Sequence, residues 1–180
     1  MCIRDRAPAA QLESSNLRVL GLSSHPLTGG NTPASTPQQA ILGTGTARVE
    51  PQIPMTGTPP AGPGITLTRP TMPSLLSQDS APGGMLVVQR YGAPGSVFVV
   101  ALGLPGPIAT LPGIVDPLWF DPLRYGIESV GVGPAIGPVV IQRPVPNQPF
   151  LRGVNFVWQS ADLHATGVVE LSNPSPTVIR

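Results

Sequence analysis

The sequence predicts an all-β protein: an antiparallel β-sandwich of about seven or eight short strands, preceded by a Pro/Thr-rich, poorly ordered segment. Three observations predict it. Charged residues make up 11% of the 180 residues and hydrophobic ones 41%, too apolar and too weakly charged a balance for a chain unfolded throughout. Pro (25) and Gly (21) together exceed a quarter of the chain, and breakers at that density leave room for short strands but not for long helices. From residue 83 onward, apolar runs recur about every 8–12 residues, the spacing of sandwiches and barrels.

Residues 1–82 are mostly Pro, Thr, Ser, Gly and Ala. They read either as a low-complexity linker or as the truncated end of an upstream β-domain. Apolar islands at "LRVLGL" (17–22), "AILGTG" (40–45) and "GITLTR" (64–69) are each long enough for a strand, with no partner of comparable strength nearby. "STPQQAIL" opens as a helical turn does, with Thr36 as cap and Pro37 at the first helical position, and is too short to persist alone.

Residues 83–180 read as the sandwich. "MLVV" (85–88) and "VFVVALGL" (97–104) flank "YGAPGS", which supplies the Gly and Pro of a chain reversal, so a hairpin is expected here. The second run is nearly continuous in apolar residues, as in a central strand covered on both faces. "PLWFDP" (117–122) is a short strand bounded by prolines, "YGIESVGVG" (125–133) alternates loosely, and "PVVIQR" (138–143) follows. In "RPVPNQPFLRGVNFVWQ" (143–159), Pro144, Pro146 and Pro149 hold the backbone extended without donating ladder hydrogen bonds, the mark of a crossing between sheets or around an edge. Val154, Phe156 and Trp158 then share the inward face of a strand, opposite Asn155, Val157 and Gln159. "TGVVELSN" (166–173) and "PTVIR" (176–180) complete the set.

Composition also narrows function. The chain has ten arginines and no lysine, scattered singly apart from Arg4 and Arg6, with a net charge of +1. No basic patch for nucleic acid or an anionic membrane follows from this. The single cysteine, Cys2, allows no intrachain disulfide, and no apolar run approaches the length of a membrane helix. No hydrophobic stretch follows the first residues, so they are not expected to act as a signal peptide. The opening "MCIRDR" (1–6) resembles a translated sequencing adapter found at the ends of proteins predicted from environmental DNA. That resemblance implies that these six residues are not native and that the chain is a C-terminal fragment whose signal peptide was lost upstream.

"VPNQPFLRG" (145–153), "VNFVWQ" (154–159) and "LSN" (171–173) occur in that order, after "GAPGSVFVVALGL" (92–104) and "LWFDP" (118–122). In these motifs the chain resembles the C-terminal β-sandwich domains of large secreted proteins from planctomycetes and similar environmental bacteria, over about residues 83–180. The compact "ADLHATG" (161–167) and Arg152 depart from the pattern. The resemblance implies an extracellular or cell-surface module appended to upstream domains, and no particular activity.

Sites of chemistry are few. Ser160, Asp162 and His164 lie within five residues, whereas catalytic triads are assembled from separate elements. Asp162 reads as the cap of a turn, and the other histidine, His25, falls in the first segment. Asp79, Asp116, Asp121, Glu128 and Glu170 are too dispersed for a calcium loop, and no zinc spacing occurs. No enzyme, metal or cofactor is expected. Trp158 shares its face with Phe156 and reads as core. Trp119 alternates with Leu118 and Phe120 and points toward Asp121, so Trp119 and Asp121 are the candidate ligand-binding pair. The expected function is a non-catalytic structural or adhesion-type module contacting a cell-surface polysaccharide or protein. A carbohydrate-binding accessory module of an extracellular hydrolase is the alternative.

Overall fold

The computed structural model describes residues 10–19, 39–51, 53–55, 57 and 59–180. Cys2, His25, the turn expected at Thr36 and the second half of "LRVLGL" lie outside the described residues. The chain divides into two compact units, Met1–Thr71 and Met72–Arg180. Among the described residues every regular element is a strand, apart from one 3-10 turn, as the density of prolines and glycines predicts.

In the first unit, β1 (Ala10–Val19), β2 (Ile41–Val49) and β3 (Ile65–Thr68) form a parallel sheet in the order β1-β2-β3. The described parts of all three islands that lacked evident partners fall in this sheet, with Leu17 opposite Ala47 and Gly45 opposite Ile65. Ile41, Ala47, Val49 and Ile53 are buried together. The Arg69 guanidinium closes the turn after β2 by donating to the carbonyls of Glu50 (3.0 Å), Pro51 (2.8 Å) and Ile53 (2.6 Å).

The second unit is a two-sheet sandwich. One sheet contains β4 (Ser74–Gln78), β5 (Met85–Tyr91) and β9 (Val139–Pro144) in the order β4-β5-β9. The other contains β6 (Val97–Ala109), β7 (Ile114–Val115), β8 (Leu118–Val132), β10 (Asn155–Leu163) and β11 (Val169–Leu171) in the order β7-β11-β10-β6-β8, with β12 (Ser175–Val178) also on β10. All pairings in the unit's sheets are antiparallel except β7 with β11. Between the sheets lie Leu75, Leu86, Val88 and Ile141 from one side and Phe98, Val100 and Trp158 from the other. Each contributes roughly 1.5–3 kcal/mol by leaving water. Trp158 is fully buried in this core, as its shared face with Phe156 predicts.

Several expectations are corrected. The runs at 85–88 and 97–104 do not form a hairpin: β5 and β6 belong to different sheets, and "YGAPGS" is the arch that carries the chain across the sandwich. Gly92 and Gly133 are required there by close approach, since a Cβ on Gly92 would lie 2.7 Å from Asp162 Oδ2 and one on Gly133 would lie 2.5 Å from the Ala93 carbonyl oxygen. "PLWFDP" and "YGIESVGVG" are one long strand, β8, interrupted at residues 121–124. The unit begins at Met72, before the expected boundary at residue 83, because β4 pairs along β5 from Ser74–Tyr91 to Gln78–Val87. The prolines at 144, 146 and 149 carry the chain from β9 to β10, that is, from one sheet to the other, through a 3-10 turn at Pro149–Leu151.

One side of the sandwich is stitched shut. The Asn173 side chain accepts from the Leu75 amide (2.9 Å) and donates to the Leu75 carbonyl (3.0 Å). The Ser77 amide donates to Ser175 Oγ (2.8 Å), the Ser80 amide to the Val178 carbonyl (3.1 Å) and the Arg180 amide to the Ser80 carbonyl (2.7 Å). The Val178 amide and the Arg180 guanidinium bind Asp79 (3.0 and 2.6 Å) and hold its carboxyl below the ordinary value of 3.8. On the opposite side, Arg143 of β9 reaches Glu128 of β8, donating to its carboxylate and its carbonyl.

Candidate functional site

The site begins with a slip in alternation. In "YGIESVGVG", Tyr125 and Ile127 occupy odd positions and Val130 and Val132 even ones, so no single strand period puts all four on one face. A β-bulge at Glu128 resolves this: Val99 pairs with Val130 and Ala101 with Ile127, leaving Glu128 as the extra residue. All four side chains therefore stand on the outer face of the six-stranded sheet, away from the core.

The far half of the β6–β8 hairpin then folds over that same face. Residues 121–124 leave the ladder in an excursion held by Asp121, whose carboxylate accepts from the Leu123 amide (2.9 Å) and lies 3.7 Å from Arg124 Nε. The excursion brings Phe120 and Tyr125 together, ring centroids 5.3 Å apart. Beyond it, β7 pairs in parallel with β11, placing the hairpin tip at the opposite edge of the sheet. Gln159 staples the overhang down. Its oxygen accepts from the Trp119 amide (3.0 Å), and its nitrogen donates to the carbonyls of Pro117 (2.8 Å) and Ser172 (3.1 Å). Leu118, Phe120, Val157 and Leu171 are buried beneath it with Ala101. The face of β10 opposite Trp158 is therefore covered as well.

Between overhang and sheet lies a groove of about 370 Å³. Val99, Ala101 and Ala161 form its floor, Leu111, Ile114 and Leu118 one wall, and Phe120, Tyr125 and Ile127 the other. Volume and lining match those of sites for apolar ligands and partners, where the hydrophobic effect supplies the driving force and few polar groups impose orientation. Gln159 is committed to the staple, and the Ser160 hydroxyl turns away to Asp162 Oδ1 (3.1 Å).

Trp119 is half-buried against the cluster under the overhang, and its neighbours Leu118 and Phe120, rather than Trp119 itself, line the groove. Asp121 holds the excursion.

In the polar constellation at 160–164, Ser160 bonds Asp162 and His164 meets Glu170. Asp162 is not a turn cap: it is a fully buried strand residue in the core, paired with Arg90 and accepting also from Ser160 Oγ and Ser96 Oγ (3.2 Å). Burial pushes its carboxyl above the ordinary value, against the opposing pull of the Arg90 charge and the hydrogen bonds from Arg90, Ser160 and Ser96. The true turn is 164–168, closed by the His164 amide on the Val168 carbonyl (2.9 Å), and His164 Nε2 lies 3.4 Å from Glu170 Oε2. Among the described residues, no three His, Cys, Asp or Glu side chains gather as a metal site would require.

Sequence reasoning missed the groove and Gln159. The slipped alternation of β8 and the lone amide in the apolar run of β10 were the available signals. Comparison of the chain with family models, curated proteins and solved structures finds no match.

Proposed function

We propose that the protein is a non-catalytic contact module of structural or adhesion type, which works by burying the apolar outer face of its six-stranded sheet against a partner. One observation carries this reading: the bulge at Glu128 and the Gln159 staple together build a walled groove lined almost wholly by hydrocarbon. Such a surface gains free energy by burial, and its few polar groups serve to orient what it holds. The Ser160 hydroxyl supports the same reading, since it donates to Asp162, itself tied to Arg90, and not to a histidine that could take its proton. A place outside the cell or at its surface rests on the resemblance carried by "VPNQPFLRG", "VNFVWQ" and "LSN".

The test is binding of the apolar dye 1-anilinonaphthalene-8-sulfonate to dilute, folded protein. Wild type is expected to enhance dye emission, and Ile127→Asp, at a position 60% exposed and therefore tolerant in the fold, to lose most of that enhancement. Dye binding that is absent in wild type, or unchanged by the substitution, defeats the proposal.

A further inference from the structure

The apolar face continues beyond the groove. Strand register places Leu163, Val97 and Val132 in one row across β10, β6 and β8, and Ala161, Val99 and Val130 in the next. Below them run Gln159, Ala101 and Ile127, then Val157, Gly103 and Tyr125. No charged side chain stands in these four rows. From this register we infer that a second copy of this chain covers the face, the two six-stranded sheets packing against each other about a twofold axis.

Area is the first argument, and it rests on the contact-module reading above. Val97, Leu163, Tyr125, Ile127, Val130 and Val132 keep 44–63% of their surface exposed. For side chains of this size that is on the order of 600 Å² of apolar surface, the upper end of what a monomer leaves open. Each partner in a standard-sized interface contributes ~800 Å². Shape is the second argument. Along β8 the large side chains of Tyr125, Ile127, Val130 and Val132 form a ridge, and beside them Val99 and Ala161, both half-buried, form a lower strip. Under a twofold operation the β8 ridge of one copy meets the lower strip of the other, the large-against-small match that face-to-face sheets need. Charge is the third. A partner bringing ionised groups to these rows leaves them unpaired, whereas a second copy brings none.

Sedimentation equilibrium of the full chain from about 1 to about 100 μM, with dye emission measured over the same range, tests this across the affinities such interfaces show. The weight-average mass is expected to rise toward twice the chain mass while dye emission per chain falls as the faces cover each other. Val130→Asp is expected to weaken association at least tenfold. Phe150→Asp, which removes a 76% exposed aromatic on the 3-10 turn, is expected to leave it unchanged. A single-chain mass throughout, or equal association by Val130→Asp, overturns the inference. If the mass stays single while dye emission per chain stays high, only the second copy is refuted and the face serves another apolar partner. If dye binding is absent as well, the contact-module reading falls too.

Discussion

Arg90 on the three-stranded sheet pairs with Asp162 on the six-stranded sheet, so that an ion pair with no solvent exposure at either side chain joins the two layers through the core. The guanidinium also lies over the Phe98 ring, 4.2 Å from its centroid, and bonds Ser96 Oγ at 3.2 Å. Removing one charge strands the other in the core. Asp162→Ala is therefore expected to lower the unfolding free energy by about 3–5 kcal/mol, and Arg90→Met with Asp162→Leu to recover most of that loss. Urea unfolding of the single and double variants measures it, and additive losses would count against the pair as a unit.

At Gly106 a Cβ would lie 2.5 Å from the Asp121 amide nitrogen, a backbone atom that cannot swing aside. Gly106→Ala is expected to cost about 1–3 kcal/mol by forcing β6 from β8 and to lower dye binding by disturbing the groove wall. Gly126→Ala is the control: its new methyl meets nothing nearer than Glu128 Oε1 at 3.4 Å. Its melting temperature should stay near that of wild type.

Gln159→Met keeps the bulk of the staple and removes its three hydrogen bonds. The Trp119 amide and the Pro117 carbonyl lose their partner, at a cost of about 1–3 kcal/mol if they remain buried. Because Trp158 is locked in the core, a red shift in tryptophan emission reports release of Trp119. Unchanged emission and unchanged stability would show that the overhang does not depend on Gln159.

Asp79 gives a pH dependence. The Val178 amide, and after it Arg180, hold its folded value below 3.8, so the folded state binds its proton less tightly than the unfolded state. The stabilisation is complete above about 3.8 and is lost as pH falls through the folded value. Asp79→Asn should flatten that acid-side decline and lower the urea midpoint above about pH 5, where wild type keeps the full stabilisation. An unaltered profile below pH 4 would contradict this.

The fold was legible where side-chain period and local chemistry agreed. Phe156 and Trp158 announced their core face, and the prolines around Asn147 announced a crossing between sheets. Legibility failed where distant partners decide. "YGAPGS" supplies turn chemistry that suits a hairpin and an arch equally, and only the pairing of β5 with β4 and β9 distinguishes them. Asp162 looked like a turn residue because its partner, Arg90, lies 72 positions away. The groove was hidden for the same reason: a bulge is visible in one strand only as weak alternation, and becomes a decision about facing once β6 fixes the register.

The stitched side of the sandwich also has a mechanical meaning. β4 and β12 lie side by side and run parallel, with Ser80 bridging Ile179, and they are the first and last strands of the unit. Tension drawn between Met72 and Arg180 pulls them lengthwise in opposite directions. The Asn173, Ser175 and Ser80 bonds are then loaded together in shear instead of opening one after another. Force-extension measurements should show Asn173→Ala yielding at lower force than wild type. A unit built this way resists tension applied at its two ends.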